Sequence, residues 1–216
     1  GDFYVYKTFH DYNGTLMSAN AMYLVTDKGV VLFDAPWDET QFQPLLDSIK
    51  AKHNKKVIML FATHSHDDRA GGFDFYRKKG IKTYSGKLTD EILKANNEGR
   101  AEFIIPDDAT FTVGQYTFEV YYPGKGHAPD NIVVWFGKEK ILYGGCFIKS
   151  VEAKDLGYLG DADVKEWQKS IKKVQSKCKN PKYVIPGHDG GTTNKSIGHT
   201  LKLVQDYNLS NNTSSK

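Results

Sequence analysis

Cysteine is nearly absent from the sequence: two in 216 residues, Cys146 and Cys178. One disulfide is the most they allow, and their settings differ too much to favour it. Cys178 stands among lysines on an expected helix and reads as an incidental thiol. Cys146 stands in Tyr-Gly-Gly-Cys-Phe at the end of an apolar strand, a more deliberate position. No apolar run reaches 18 residues, which excludes a transmembrane helix. Charge of one sign is lacking too. Twenty-nine basic against 26 acidic residues leave +3, too balanced to argue for nucleic acid or an anionic membrane. The basic clusters at Lys50–Lys56, Arg77–Lys79 and Lys172–Lys179 read as wet helix sides. The chain begins Gly-Asp-Phe-Tyr-Val-Tyr without a basic and apolar leader, so any signal peptide is expected to have been removed or never present. No low-complexity linker separates domains. No Ser-x-x-Lys nucleophile motif stands in a convincing place, which argues against a covalent acyl-enzyme.

What is there is a length suited to one domain, or two similar halves sharing a core, with 39% hydrophobic and 25% charged residues. Such a chain buries about 70–75% of its unfolded surface and needs no staple. Asn20–Thr26 and Gly29–Asp34 read as strands around an Asp27-Lys28 turn. His10–Thr15 carries an Asn-Gly turn between alternating segments, an exposed hairpin tip. Phe42, Leu45, Leu46 and Ile49 mark an amphipathic helix over Glu39–His53. Val57–Thr63 is an unbroken apolar run, as in a strand covered on both faces. Asp68–Lys79 reads as one helix ending near Gly80, with Gly71-Gly72 permitting close packing at its start. Ile81–Ser85 then reads as a strand and Leu88–Asn97 as a helix. Further on, Tyr116–Tyr122, Ile132–Phe136, Ile141–Tyr143 and Tyr183–Ile185 are expected strands, and Val164–Lys177 and Lys195–Tyr207 expected helices. Ser210–Lys216 reads as a polar, disordered tail. Mixed elements in both halves favour a layered α/β fold.

The chemistry concentrates in Ala-Thr-His-Ser-His-Asp-Asp-Arg, residues 62–69. His64, His66 and Asp68 occupy alternate positions. If the segment is extended, all three side chains leave one face. Two imidazoles and a carboxylate there make a site for a borderline-soft divalent metal such as zinc. The plain alternative is a polar strand-to-helix turn that happens to hold two histidines. Seven histidines occur in all. Four follow strand-like segments: His64, His66, His127 in Pro-Gly-Lys-Gly-His-Ala-Pro-Asp-Asn, and His188 in Ile-Pro-Gly-His-Asp-Gly. Singly, His127 and His188 would be loop histidines and Cys146 a small buried hydrophobe. Together these strand-end residues are hard to explain as coincidence, because ligands on such loops can meet at one edge of a sheet sandwich. His10, His53 and His199 read as hairpin and helix-surface residues with no partners in sequence.

His64-Ser-His66-Asp-Asp68-Arg69, Gly-Lys-Gly-His127, Gly-Gly-Cys146-Phe-Ile-Lys149 and Pro-Gly-His188 follow one another at gaps of 61, 19 and 42 residues between ligands. In this order and spacing the chain resembles the class B metallo-β-lactamases of the first subclass. The resemblance covers nearly the whole chain, including Asp155–Asp163. Relatives in the wider superfamily typically have histidine in place of Arg69 and aspartate in place of Cys146. A related subclass has asparagine in place of His64.

The resemblance implies an αββα sandwich over residues 1–209, two similar halves with the metal site at one edge of the sheets. It implies two Zn2+ ions, one held by His64, His66 and His127, the other by Asp68, Cys146 and His188. The implied reaction is hydrolysis of the β-lactam amide of penicillins, cephalosporins and carbapenems by a zinc-bound hydroxide, conferring antibiotic resistance. Asp68 would orient the nucleophile as well as bind metal. Lys149 would pair with the substrate carboxylate; otherwise it is a solvated strand-end lysine. Arg69 would sit behind the second zinc, and Asp34 would orient a ligand from behind. Tyr158 stands where many members carry asparagine, so the loop's usual role at the lactam carbonyl is open. Phe9 and Tyr12 would supply apolar contact from a flap at Tyr12-Asn13-Gly14, and Asn131 reads as a turn amide. The expected enzyme is a periplasmic monomer with a small-molecule substrate and neither nucleic-acid nor membrane partner. Competing readings are a thioester or phosphodiester hydrolase of the same fold, which Arg69 and Cys146 oppose, and a non-catalytic zinc protein, for which closed tetrahedral coordination would be the rule.

Overall fold

The computed structural model describes residues 1–213, and the strands fall into two sheets among mixed helices. The chain divides into two compact units, Gly1–Val120 and Tyr121–Lys216.

In the first unit β1 (Phe3–Tyr12) and β2 (Thr15–Val25) pair antiparallel from Phe3↔Leu24 to Tyr12↔Thr15. Asn13 and Gly14 close the hairpin with φ of 53° and 80°, and Asp11 Oδ1 accepts from the Gly14 amide at 2.7 Å. Two positive φ angles in a two-residue loop make the turn whose twist matches the strands, which is why Asn-Gly is found there. Next come β3 (Val30–Phe33), α1 (Phe42–His53), β4 (Val57–Phe61), α2 (Asp67–Ala70), α3 (Phe73–Lys78), β5 (Lys82–Gly86), α4 (Lys87–Ala95) and β6 (Phe103–Ile105). The sheet runs β1 to β6 in chain order, antiparallel from β1 to β3 and parallel thereafter. Alternation sends successive side chains of β3 and β4 to opposite faces. On one, Val30, Leu32, Leu60 and Ala62 meet Phe42, Ile49, Phe73 and Tyr76 from the helices. On the other, Phe33 and Phe61 meet Phe118 edge-on at 5.3 and 5.4 Å, and Phe61 meets Phe111 at 4.9 Å. Phe111 and Phe118 belong to β7 (Asp108–Val113) and β8 (Tyr116–Tyr121). The unbroken apolar run is therefore covered on both faces, as read.

In the second unit β9 (Val133–Phe136) pairs antiparallel with β10 (Ile141–Gly145), and β10 pairs parallel with β11 (Tyr183–Pro186). Helices α5 (Val164–Lys177) and α6 (Lys195–Thr213) bring Trp167, Ile171, Val174, Ile197 and Val204 onto Val133, Trp135, Leu142 and Val184.

Three expectations need correction. The helix expected over Asp68–Lys79 is two, α2 and α3, because Gly71 and Gly72 interrupt it. A Cβ at Gly72 would stand 2.7 Å from the Tyr76 ring and 3.0 Å from Ala35 Cβ, so the close packing expected there is what breaks the helix. The strands β6 and β7 were not legible from pattern. Cys178 is buried at 1% exposure in the α5–α6 core rather than idle among lysines. His10, His53 and His199 lie on the hairpin, α1 and α6 as expected, and each finds a partner distant in sequence: Asp38 Oδ2 at 3.1 Å, the Tyr23 hydroxyl at 3.1 Å and Ala153 O at 2.8 Å. Finally, residues 210–213 continue α6 instead of forming a tail. Ser210 Oγ donates to Asp206 O and Asn211 Nδ2 to Tyr207 O, each at 2.9 Å, so polar side chains themselves bond the last turns. Residues 214–216 of the expected tail lie outside the described residues.

Candidate active site

His64, His66 and Asp68 converge by a route different from the one expected. Residues 63–66 form bends rather than an extended strand, and α2 starts at Asp67. His66, in extended conformation at φ −65°, receives the Arg69 and Ala70 amides on its carbonyl at 2.9 Å. The first helical turn thus returns Asp68 to the imidazoles. One ligand atom from each of the three lies within 4.8 Å of the others. His64 Nε2 stands 3.1 Å from His66 Nδ1 and 3.9 Å from Asp68 Oδ1. Two nitrogens on a tetrahedral zinc are ~3.3 Å apart, given Zn–N bonds of ~2.0–2.1 Å, so this edge fits the metal. His64 is fully buried and Asp68 nearly so.

Arg69 explains how the carboxylate is aimed. Its guanidinium is completely buried, with Nε 2.9 Å from Asp68 Oδ2 and Nη1 3.2 Å from Asp34 Oδ2. Nη1 also donates to Asn20 O at 2.7 Å. A buried cation needs such partners, and in return it fixes one oxygen of Asp68 and leaves Oδ1 on the imidazole side. Asp34 accepts from the Thr63 amide at 2.7 Å and the Thr63 hydroxyl at 2.9 Å. Asp34 therefore braces the residue before His64, as well as Arg69. Its φ of 68° lies in the left-handed region, which aspartate tolerates better than most residues. Thr63 was not singled out in the sequence; a threonine ending an apolar run gives no distinct signal. Behind Asp34, the Tyr6 hydroxyl donates to the Asp34 carbonyl at 2.8 Å, and burial pushes that phenol well above its ordinary pKa.

In the second unit Cys146 Sγ stands 3.2 Å from His188 Nε2. Thiolate and imidazole on a tetrahedral zinc would be ~3.6 Å apart at ideal angles, so this pair also fits, slightly compressed. His127 is buried on a loop that Asn131 staples: its Oδ1 accepts from the Ala128 amide at 3.0 Å and its Nδ2 donates to Gly124 O at 2.9 Å. Trp167 lies beneath this loop, 6.0 Å from the His127 ring, and its Nε1 donates to Phe147 O at 3.1 Å. A Cβ at Gly126 would stand 2.6 Å from Phe147 and 2.9 Å from Trp167, so only glycine lets the loop lie so close.

Lys149 is not a solvated strand-end lysine. It is 8% exposed, and its Nζ lies 5.5 Å from the centre of the Trp167 ring. Tyr158 is 55% exposed, with its hydroxyl turned over Gly160 in its own loop. Phe9 and Tyr12, at 46% and 48%, are exposed on the β1–β2 hairpin near Trp37, which stacks on His10 at 5.3 Å.

Residues 14–188 match the Metallo-beta-lactamase superfamily. This chain belongs to the metallo-β-lactamase superfamily. It is 52% identical over 204 residues to the metallo-beta-lactamase type 2 of Elizabethkingia meningoseptica, covering 94% of this chain and 82% of that protein. To the metallo-beta-lactamase IND-1 of Chryseobacterium indologenes it is 47% identical over 201 residues, 93% of this chain and 84% of that one. The crystal structure of metallo-beta-lactamase IND-7 superposes with a TM-score of 0.92 at 46% identity, over 95% and 94% of the two chains. The solved structure of a metallo-beta-lactamase from Pontibacter korlensis gives a TM-score of 0.91 at 33% identity, over 95% and 96% of the two chains. The fold is the metallo-β-lactamase fold, mixed α/β with two sheets, as the sequence led us to expect.

Proposed function

We propose that the enzyme hydrolyses the β-lactam amide of penicillins, cephalosporins and carbapenems by attack of water, without a covalent acyl-enzyme. The observation that carries this is the set His64, His66 and Asp68, braced by a buried Arg69, in a chain of this family. Two zinc ions are the cofactors on this reading, one on His64, His66 and His127, the other on Asp68, Cys146 and His188. The 3.1 Å edge between His64 and His66 and the 3.2 Å approach of Cys146 to His188 support the assignment. When bound, zinc supplies a Lewis acid and a water of pKa near ~7.

The protein residues then divide the remaining work. Asp68 orients the attacking water from the Oδ1 side of its carboxylate, because Oδ2 faces Arg69. Lys149 binds the substrate carboxylate with an ammonium held over Trp167. Phe9 and Tyr12 cover the apolar parts of the substrate, and Tyr158 borders it. Residues 1–209 act as one catalytic domain, in a periplasmic monomer that confers resistance. No helix of the described residues is long and apolar enough to cross a membrane.

The test is a spectrophotometric assay of purified protein with benzylpenicillin, a cephalosporin and a carbapenem, before and after chelation. Hydrolysis lost on chelation and restored by zinc is expected. Turnover of a thioester but of none of the lactams would overturn the proposal.

A further inference from the structure

We propose that His199 and Thr200, neighbours on α6, form a clasp that positions Lys149 and so sets how well the substrate carboxylate binds. This rests on the reading of Lys149 as the partner of that carboxylate. Lys149 and Ser150 lie beyond β10 in a stretch without strand or helix, so their backbone groups need side-chain partners. The fully buried Thr200 hydroxyl provides one. It accepts from the Lys149 amide at 2.8 Å and donates to Ser196 O at 2.7 Å, one turn back on α6. The Lys149 carbonyl lies 3.3 Å from the same hydroxyl.

One residue earlier on α6, His199 Nε2 donates to Ala153 O at 2.8 Å. Between the two pins the Ala153 amide donates to Ser150 O at 3.2 Å, and Ser150 Oγ accepts from the Glu152 amide at 3.0 Å. Residues 149–153 are thus a closed turn held at both ends by consecutive residues of one helix. A lysine is a point charge on a flexible four-carbon stem, so its backbone anchor decides where the ammonium can rest. From this anchor Nζ reaches the Trp167 ring and stands 3.7 Å from where a Cβ on Gly157 would be.

Thr200→Val keeps the shape and removes the hydroxyl; Thr200→Ser restores it. For zinc-loaded enzyme and benzylpenicillin, Thr200→Val is expected to raise KM about ten-fold with kcat nearly unchanged, and Thr200→Ser to return KM to the parent value. Benzylpenicillin methyl ester, which lacks the carboxylate, should show no such change. His199→Phe should raise KM less, roughly three-fold, and His199→Gln should recover it. Hydrogen exchange of the Lys149 amide, read by NMR, should speed up at least ~ten-fold in Thr200→Val. If Lys149→Ala raises KM and Thr200→Val does not, the clasp is wrong and the carboxylate reading stands. If Lys149→Ala leaves KM unchanged, the carboxylate reading fails and the clasp's role in binding falls with it. Equal effects on ester and acid, or loss of zinc in Thr200→Val, would reduce Thr200 to a folding residue and overturn the proposal.

Discussion

Asp34→Asn isolates the buried charge network behind the site. Asparagine matches aspartate in shape and tolerates the φ of 68° at this position, so the backbone has no reason to move. The amide oxygen can keep the Thr63 amide now at 2.7 Å from Oδ1. The NH2 that replaces Oδ2 faces Arg69 Nη1, now 3.2 Å away, donor against donor, while the Thr63 hydroxyl can turn to accept. What is lost is one arm of a fully buried ion pair. Breaking such a pair costs about 3–5 kcal/mol. Arg69 keeps Asp68 at 2.9 Å, which places the loss at the lower end, about 3 kcal/mol. At ~2–4 °C per kcal/mol for a chain of this size, the melting temperature should fall by roughly 6–12 °C. Calorimetry on zinc-depleted parent and variant measures this without the contribution of metal binding. A melting temperature within about 2 °C of the parent would refute the argument that Arg69 needs both carboxylates.

Three further outcomes are expected. Cys146→Ser replaces a soft thiolate by a protonated hydroxyl, so zinc bound per chain, read by atomic emission, should drop and activity fall far more than the melting temperature of the zinc-free protein; unchanged zinc and turnover would sink the ligand assignment. Gly126→Ala forces a methyl group toward Phe147 and Trp167, so calorimetry should show a loss of about 1–3 kcal/mol, and zinc titration should show weaker binding through His127. Asp38 is held below the usual carboxylate range, first by the Thr40 hydroxyl, then by the Thr40 amide and His10. Its stabilisation is present above the ordinary carboxylate pKa of ~3.9 and lost as pH falls through its lowered folded value, so the stability gap between the parent and Asp38→Asn should be largest at neutral pH and vanish in acid. A gap that persists in acid, followed by chemical denaturation at each pH, would remove that carboxylate from the account.

Most of the architecture was legible because local signals agreed with the packing. The Asn13-Gly14 turn, the apolar face of α1 and the run Val57–Thr63 each carry a pattern with one physical solution. The metal motif was legible by residue type, yet the reason for its convergence was misread. Alternation in a strand and a bend followed by a helical turn both bring positions 64, 66 and 68 to one side, and sequence spacing does not separate them. The break at Gly71-Gly72 depends on Tyr76 and Ala35 arriving from elsewhere. Thr200 was invisible for the same reason: its partner, Lys149, is 51 residues away. Cys178 was misplaced because its lysine neighbours are exposed while its own position on the helix faces inward.

The chain's three tryptophans stand in three separate surroundings. Trp167 is sealed from water between the His127 ring and the Lys149 ammonium. Trp37 sits under the hairpin that carries Tyr12, 6.2 Å from that ring. Trp135 packs in the core with Lys140 over its ring at 5.6 Å. Single-tryptophan versions of this enzyme would therefore emit light from three distinct stations: beside His127, beneath the β1–β2 hairpin and in the core of the second unit. The order in which metal loading and substrate arrival reach each station could be timed in one stopped-flow fluorimeter without an attached dye.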